Sequence, residues 1–558
     1  MKIVLTAINA KYIHSNLAVY SLRAYAQAYK DKIAIAEYTI NQQTDDILMD
    51  LYKRKPEILC FSCYIWNMTY VEEIVREIKK VLPHVPIWLG GPEVSYDAKE
   101  VLARLPEVTG VMRGEGEQTF LELMQYYHAE GKPLNEILGI TYRDALEGTQ
   151  KICENEWRKP IDLSAVPFVY EDMADFQNKI IYYESSRGCP FSCSYCLSSV
   201  DKCLRFRDLE LVKKELQFFI DEKVPQVKFV DRTFNCNHKH AMGIWRFLME
   251  QDKGITNFHF EVSADLLNKE ELNLIGQMRP GLIQLEIGVQ STNVETIREI
   301  RRTMKFAEVA RIVRCIQEKK NVHQHLDLIA GLPYENLESF QKSFNDVYAL
   351  HPEQLQLGFL KVLKGSYMDE QKQTYGLVHK SKPPYEVLGT KWLSYEDVLE
   401  LKQIESMVEV YYNSGQFGYT LRRLEQEFDS PYKMYYQLGR FYEAHGLHMV
   451  SHSRISRYEL LLDFIRELGT KEEHIYTELL TLDLYLREHV KNRPDFAGDY
   501  TVPKEWKREY GKIVHIERFN HNVLGDCEEK ELILLFDYEN RDKLTHQAYC
   551  KILSNGLK

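Results

Sequence analysis

The sequence predicts an α/β fold in three modules: a doubly wound, Rossmann-like N-terminal domain, a central partial (β/α) barrel and a mainly helical C-terminal domain. Three observations predict it. Apolar strand candidates alternate with amphipathic helices over residues 1–140, as in doubly wound parallel sheets. After a proline-punctuated linker over 141–177, a second alternating series runs from 178 to 385, and its strands each carry a polar row. Over 386–558 helical periodicity rich in Tyr and Leu takes over.

In the first module the strands are Ile3–Ile8, Lys32–Thr39, Ile58–Cys63, Ile87–Pro92 and Val108–Met112. Helices fall at Leu17–Ala26, Asp45–Arg54 and Thr69–Leu82, the last strongly amphipathic. A doubly wound sheet binds its ligand at the carboxyl ends of the strands, near the point where strand order reverses. Three segments lie there: Asn9–Asn16, Ser62–Asn67 and Gly90–Ser95. Gly90 and Gly91 have no Cβ, so a bulky ligand can approach the backbone closely. Cys60 and Cys63 form a C-x-x-C, but strand alternation turns them to opposite faces, one into the core and one toward the loop. In the linker, Ile140–Arg143 and Lys151–Cys153 read as a small hairpin.

The strands of the second module repeat one pattern. Tyr182, Glu184 and Ser186 share a face, as do His259, Glu261 and Ser263. Gln284, Glu286, Gly288 and Gln290 oppose Ile283, Leu285, Ile287 and Val289; His323, His325 and Asp327 form a further row, and Gln354, Gln356 and Gly358 another. Helical stretches at Leu209–Asp221, His240–Gln251, Lys269–Met278, Asn293–Met304, Phe306–Lys319 and Leu337–Leu350 separate the strands, which implies parallel crossovers. Parallel sheets are covered on both faces, so polar rows within one line a cavity, and a barrel with a polar lumen opening at the carboxyl ends meets that demand. In the third module helices are expected at Leu393–Asn413, Tyr419–Phe428, Pro431–His445, Tyr458–Leu468 and Lys471–Val490, with a late strand pair at Ile513–Arg518 and Lys530–Phe536.

Composition bounds the function. At 558 residues the chain exceeds the size at which single cores stop growing, roughly 250–300 residues. A net charge of −11 argues against a broad nucleic-acid-binding surface, and no nucleic-acid module is evident. Eleven cysteines without a framework pattern point to reduced thiols. No run of about 18 apolar residues occurs, so we expect a soluble, cytoplasmic protein with no membrane partner.

Chemistry is concentrated in the run Ser186–Leu197, where Cys189, Cys193 and Cys196 are spaced by three and two residues. That spacing lets one short loop grip three corners of a cuboidal iron–sulfur cluster. No fourth cysteine follows at short spacing, which leaves one iron open; zinc sites usually offer four protein ligands in paired C-x-x-C units. Cys203 and Cys236 lie nearby in sequence and read as ordinary thiols.

This cysteine run resembles the radical S-adenosylmethionine (SAM) superfamily. The resemblance continues through Phe229–Asn235, Glu261, Glu286–Ser291 and His325–Pro333. The first module, through Gly90-Gly-Pro-Glu93 and Arg113–Glu117, resembles the cobalamin-binding module that precedes many radical SAM enzymes, and the third resembles an uncharacterised C-terminal domain of a subgroup of them. The resemblance implies a [4Fe-4S] cluster on Cys189, Cys193 and Cys196, with SAM on the open iron. Its candidate SAM contacts are Tyr195, Asp231, Glu261, Gln290 and Asp327, of which Glu261 and Gln290 are also the candidate catalytic residues. Ser62, Trp66, Gly90, Gly91 and Glu93 are the candidate cobalamin contacts. Methionine-synthase-like modules supply a cobalt-ligating histidine in Asp-x-His-x-x-Gly; here the segment holds His14 out of that frame, and a structural role is expected for it. Arg205 and Arg207 are expected to balance the cluster's charge, to contact the SAM carboxylate, or to lie in solvent at a helix start. The implied activity is a class B-type cobalamin-dependent methyltransferase acting on an unactivated carbon of an organic substrate, with a reductant such as flavodoxin or ferredoxin. Two alternatives stand beside it: a radical rearrangement or cyclisation with cobalamin as electron donor, and a radical SAM enzyme whose first module is a non-catalytic binding domain.

Overall fold

The computed structural model describes residues 1–144, 151–200, 202–498, 502 and 513–554. Its first sheet contains β1 (Ile3–Asn9), β2 (Ile33–Thr39), β3 (Ile58–Ser62), β4 (Ile87–Gly90), β5 (Gly110–Met112), β6 (Ile140–Asp144) and β7 (Lys151–Glu154), in the order β2-β1-β3-β4-β5-β6-β7. The first five are parallel, and the hairpin β6–β7 adds an antiparallel edge. Strand order reverses between β1 and β3, so the ligand crevice of this sheet lies at Asn9 and Ser62. β3 is buried on both faces, as the continuous apolar run Ile58–Phe61 requires.

The second sheet begins with β8 (Ile181–Tyr183). A short antiparallel pair, β9 (Ser186–Arg187) and β10 (Arg205–Phe206), brackets the cysteine loop. It continues with β11 (Gln226–Phe229), β12 (Asn257–Val262), β13 (Ile283–Gln290), β14 (His323–Ala330) and β15 (Gln354–Phe359). The order β15-β14-β13-β12-β11-β8 is sequential and wholly parallel, the arc of a six-stranded partial barrel. Its outward apolar residues pack under the crossover helices, for example Phe229, Phe234, Trp245 and Phe260, whose rings lie 4.3–6.0 Å apart.

A two-stranded hairpin, β16 (Val378–His379) with β17 (Val387–Gly389), leads into the third module. This module packs helices at Tyr395–Met407, Gly418–Leu424, Pro431–Ala444, Arg454–Glu467 and Glu473–Arg487, then closes with β18 (Val514–His521), β19 (Glu529–Arg541) and β20 (Ala548–Ser554) in one antiparallel sheet. The expected late strand pair is therefore three-stranded, because Ala548–Ser554 pairs along β19. The apolar core is continuous, from Ile3 and Trp88 through Ile181 and Phe260 to Leu401 and Tyr435. Among the described residues no helix is long and apolar enough to cross a membrane.

One helix is shorter than its periodicity predicts. The stretch expected as Asn293–Met304 is helical only over Val294–Glu299, after which Arg301 takes φ +57°. That reversal swings Arg302 back under β13, where its guanidinium donates to the Gly288 carbonyl.

Candidate functional site

The cysteine loop is built by a few tight contacts. Gly188 has φ +93°, and a Cβ there would lie 2.6 Å from the Cys203 carbonyl oxygen, so the loop leaves β9 only through a glycine. Ser194 N–H donates to the Ile300 carbonyl at 2.9 Å, and Cys196 N–H to the Cys193 carbonyl at 3.2 Å. Cys189 and Cys193 are buried and Cys196 half-buried. Burial pushes the Cys193 thiol up; the nearby Arg302 guanidinium, 3.9 Å from its Sγ, opposes this, and the Cys196 and Cys189 thiols add to it. Three thiols on a single short loop, with a cation beside Cys193, fit the donor set of an iron–sulfur cluster with three protein ligands. Arg302 also donates to the Tyr195 hydroxyl at 3.4 Å.

Sequence reasoning did not single out Arg302; its signal was available only as an arginine after a helix that ends early. The arginines it did single out are engaged elsewhere. Arg205 donates to Glu115 at 2.6 Å and to the Ile161 carbonyl at 3.0 Å. Arg207 is buried against Glu215 at 2.5 Å and donates to the Leu163 carbonyl at 2.6 Å. Neither is the guanidinium beside the thiols.

Asp231 is fully buried, and its carboxylate accepts from Ser185 N–H (3.0 Å), Ser185 Oγ (2.7 Å) and Ser186 Oγ (2.6 Å). Its oxygens are thus engaged in pinning the strand that delivers the cysteine loop. Burial raises its pKa to about 6 against those three donors.

The polar rows meet across the barrel strands in register. Lys228 pairs laterally with His259, and His259 with Gln284, which pairs with His323; above them Glu261, Glu286, His325 and Gln354 form a second tier, and Gly288, Asp327 and Gln356 a third. Glu286 lies 3.0 Å from both His259 and Lys228. Burial alone would raise the Glu286 pKa, yet His259, Lys228 and His325 hold it down at about 2. Its neighbour Glu261 is pushed up to about 7, first by burial and then by the Glu286 charge. One carboxylate is therefore fixed as an anion and the other titrates near neutrality, the environment-driven split expected where function needs two protonation states. His325 Nε2 lies 3.0 Å from Asp327.

Gln290 ends β13 with φ +71° at a bulge, and its side chain folds back over Gly288, where a Cβ would sit 2.3 Å from its amide nitrogen. Among the described residues its Oε1 has no hydrogen-bond partner although it is buried. A buried acceptor without a donor is costly, so a ligand group at the mouth of the lumen is the natural partner.

Loops at the carboxyl ends of the first sheet contact the barrel along its edge strand β8 and at β9 beyond it. His14 Nδ1 is 2.6 Å from the Tyr182 hydroxyl, and its neighbouring backbone pairs with Ile180. Glu117 and Glu115, after β5, hold Arg187 at 2.9 and 3.6 Å. His14 is thereby tied to the barrel, and burial followed by the charges of Lys11 and Lys228 lowers its pKa.

In the crevice between β1 and β3, Asn16 donates to Ser62 Oγ at 3.0 Å. Trp66, 40% exposed, stacks on Tyr64 with centroids 4.4 Å apart and donates to the Ile8 carbonyl. Gly91 has φ +117°, and a Cβ on it would lie 2.5 Å from the Cys63 carbonyl oxygen. An exposed tryptophan stacked on a half-buried tyrosine, beside a turn that excludes side chains, fits a large, flat ligand. Glu93 is buried one turn further on, accepting from the Tyr385 hydroxyl and lying 3.2 Å from Lys364. Cys60 and Cys63, of which one was expected to face the loop, are both buried, in apolar layers on opposite sides of the sheet, and burial alone pushes the Cys60 thiol to about 12. Both are inert core thiols.

Comparisons with known proteins match each of the three modules. Residues 3–124 match the B12 binding domain, residues 183–347 the radical SAM superfamily, and residues 373–536 a domain described as a protein of unknown function, DUF4080. The chain is 24% identical over 491 residues to the 2-(S-pantetheinyl)-carbapenam-3-carboxylate methyltransferase of Streptantibioticus cattleyicolor, covering 80% of this chain and 68% of that one. It is 23% identical over 344 residues to the cobalamin-dependent radical SAM methyltransferase TokK of Streptomyces tokunonensis, covering 58% of this chain and half of that protein's length. The solved structure of OxsB, a cobalamin-dependent SAM radical enzyme with aqua-cobalamin and SAM bound, shares the fold with a TM-score of 0.59 at 16% identity, over 86% of this chain and 78% of that one. The radical SAM methyltransferase TsrM of Kitasatospora setae gives 0.55 at 17% identity, over 68% and 78%. The chain is a member of the radical SAM superfamily, with a B12-binding domain before its barrel and a DUF4080 domain after it.

Proposed function

We propose that this protein is a cobalamin-dependent radical SAM enzyme that methylates an unactivated carbon of an organic substrate, drawing its electron from a small reductant such as a flavodoxin or ferredoxin. The observation that carries the reading is the three-thiol loop beside the polar strand rows of the barrel, joined through Arg187 to the loop after β5 of a B12-binding sheet. The chemistry that a cluster and a corrin supply when bound is one-electron cleavage of SAM to a 5′-deoxyadenosyl radical and transfer of a methyl group to a carbon radical.

The chain's own residues contribute binding, orientation and dryness. Cys189, Cys193 and Cys196 hold the cluster, and Arg302 neutralises part of its charge. Gln290, Glu261 and Asp327 present polar atoms to SAM from neighbouring strands; Glu261, near its midpoint at neutral pH, donates or accepts as its partner requires. Tyr195 packs beside Cys193 and orders the loop. Asp231 acts at one remove, by fixing Ser185 and Ser186. Ser62, Trp66, Gly90 and Gly91 form the corrin crevice, and Glu93 anchors its far side. His14, held through Nδ1 by the Tyr182 hydroxyl, would serve to join the first module to the barrel.

The 20% identity, over 57% of this chain, to the anaerobic magnesium-protoporphyrin IX monomethyl ester cyclase of Cereibacter sphaeroides supports a second reading, radical rearrangement or cyclisation without methyl transfer. Anaerobic reconstitution with hydroxocobalamin tests the proposal. A broad iron–sulfur absorbance abolished by Cys193→Ala, with corrin bands that survive desalting, is the expected result, and failure to retain corrin refutes methylation. With substrate, S-adenosylhomocysteine and 5′-deoxyadenosine form together in methylation, and 5′-deoxyadenosine alone in rearrangement.

A further inference from the structure

The chain between the barrel and the C-terminal domain contacts both halves of the site. After β15 it turns back, and Met368 N–H donates to the Ser194 carbonyl at 3.0 Å, between Cys193 and Cys196. The adjacent Tyr367 carries the Arg301 guanidinium at 3.6 Å over its ring, next to Arg302. Four positions before Met368, Lys364 Nζ lies 3.2 Å from Glu93 and 2.9 Å from Asp97, on the turn that follows Gly91. Tyr385, on the hairpin beyond, donates to the same Glu93. Gly365 has φ +79° and sits against Tyr96, where a Cβ would meet the ring at 2.8 Å. Beneath, Leu360, Val362, Met368 and Val387 form an apolar cluster against which Tyr195 packs.

We propose that residues 363–370 are a strap that fixes the Gly91 turn of the first module to the cysteine loop of the barrel, with Lys364 as the positioning residue. Glu93 is almost wholly enclosed, and a buried carboxylate stripped of its cation is strongly unfavourable, so the ion pair holds the turn where Lys364 places it. Lys364 and Met368 are four positions apart, and that length of chain spans at most roughly 14 Å, which bounds the distance between the two attachments. Under the function proposed above, the strap sets the spacing between corrin and cluster, and displacements of about 1 Å between reacting groups cost on the order of a hundredfold in rate.

Hydrogen–deuterium exchange on the full chain with its cluster reconstituted tests this, comparing wild type with Lys364→Met, Lys364→Arg and Tyr385→Phe. The strap predicts that Lys364→Met accelerates exchange by about tenfold at amides 93–96 and, through the strap, at amides 194–196, with β12–β14 unchanged. Lys364→Arg restores both regions, and Tyr385→Phe, which removes a single hydroxyl, gives a smaller rise in both. Acceleration confined to 93–96, or absent, overturns the proposal. Hydroxocobalamin titration of the same proteins separates the two readings: failure of wild type to take up corrin refutes the corrin assignment, while the exchange pattern still decides the strap.

Discussion

Arg302 gives the sharpest quantitative prediction. Its guanidinium lies 3.9 Å from Cys193 Sγ, in a pocket where it also donates to the Gly288 carbonyl and the Tyr195 hydroxyl. A unit charge at that distance, with an effective dielectric of about 20, interacts by about 4 kcal/mol. For a one-electron couple this corresponds to about 170 mV, and to roughly half of that once the negative charge is spread over a cluster. Arg302→Met therefore lowers the reduction potential of the reconstituted cluster by roughly 80 mV, because the reduced state carries the additional negative charge that Arg302 stabilises. Arg302→Lys keeps the charge and recovers most of the shift. Spectroelectrochemical titration of both variants at matched iron content measures it. In the cluster-free chain the same substitution moves the pH profile of Cys193 alkylation upward, since burial already raises that thiol and Arg302 opposes it. A potential within about 20 mV of wild type, with full iron content, refutes the argument that this arginine tunes the cluster.

Two further outcomes follow from single features. Gly91→Val forces a side chain into backbone at φ +117° and against the Cys63 carbonyl, at a cost of about 2–4 kcal/mol; corrin retention is lost while iron content is preserved, as visible absorbance and iron assay will show. Glu335 is fully buried, accepts from Ser291 and Ser343, and has its pKa raised to about 7 by burial. Its folded-state value exceeds its unfolded one, so its contribution to stability is complete below about pH 4 and is lost as pH rises through 7, about 3 kcal/mol in all. Glu335→Gln removes that dependence, and denaturant midpoints at pH 5 and pH 8 should show the variant gaining on wild type at the higher pH.

The alternation of strands with helices marked both sheets because parallel strands buried on two faces read as apolar runs, and Ile58–Phe61 is such a run. The barrel's polar rows were legible for a related reason. Gln284, Glu286, Gly288 and Gln290 keep strict period two along β13, and a covered sheet leaves such a row only the lumen to face. The three cysteines stood out because their spacing within one loop is a local property. Arg302 did not, since its position depends on a helix that stops at Glu299 and a residue at positive φ, neither of which periodicity records. Arg205 and Arg207 misled for the complementary reason: their partners, Glu115 and Glu215, are acidic residues whose nearness is set by folding.

What the chain's own order determines is therefore the set of modules, the strand faces and the thiol loop, all of which arise from interactions between residues a few positions apart. Tertiary structure alone decided which charge sits beside the thiols, that Asp231 is consumed in shaping the loop, that His14 is bound to the barrel, and that Lys364 reaches Glu93 across 271 positions of sequence. Those pairings depend on the packing of whole domains, and a local pattern carries no record of a partner that only long-range packing brings near.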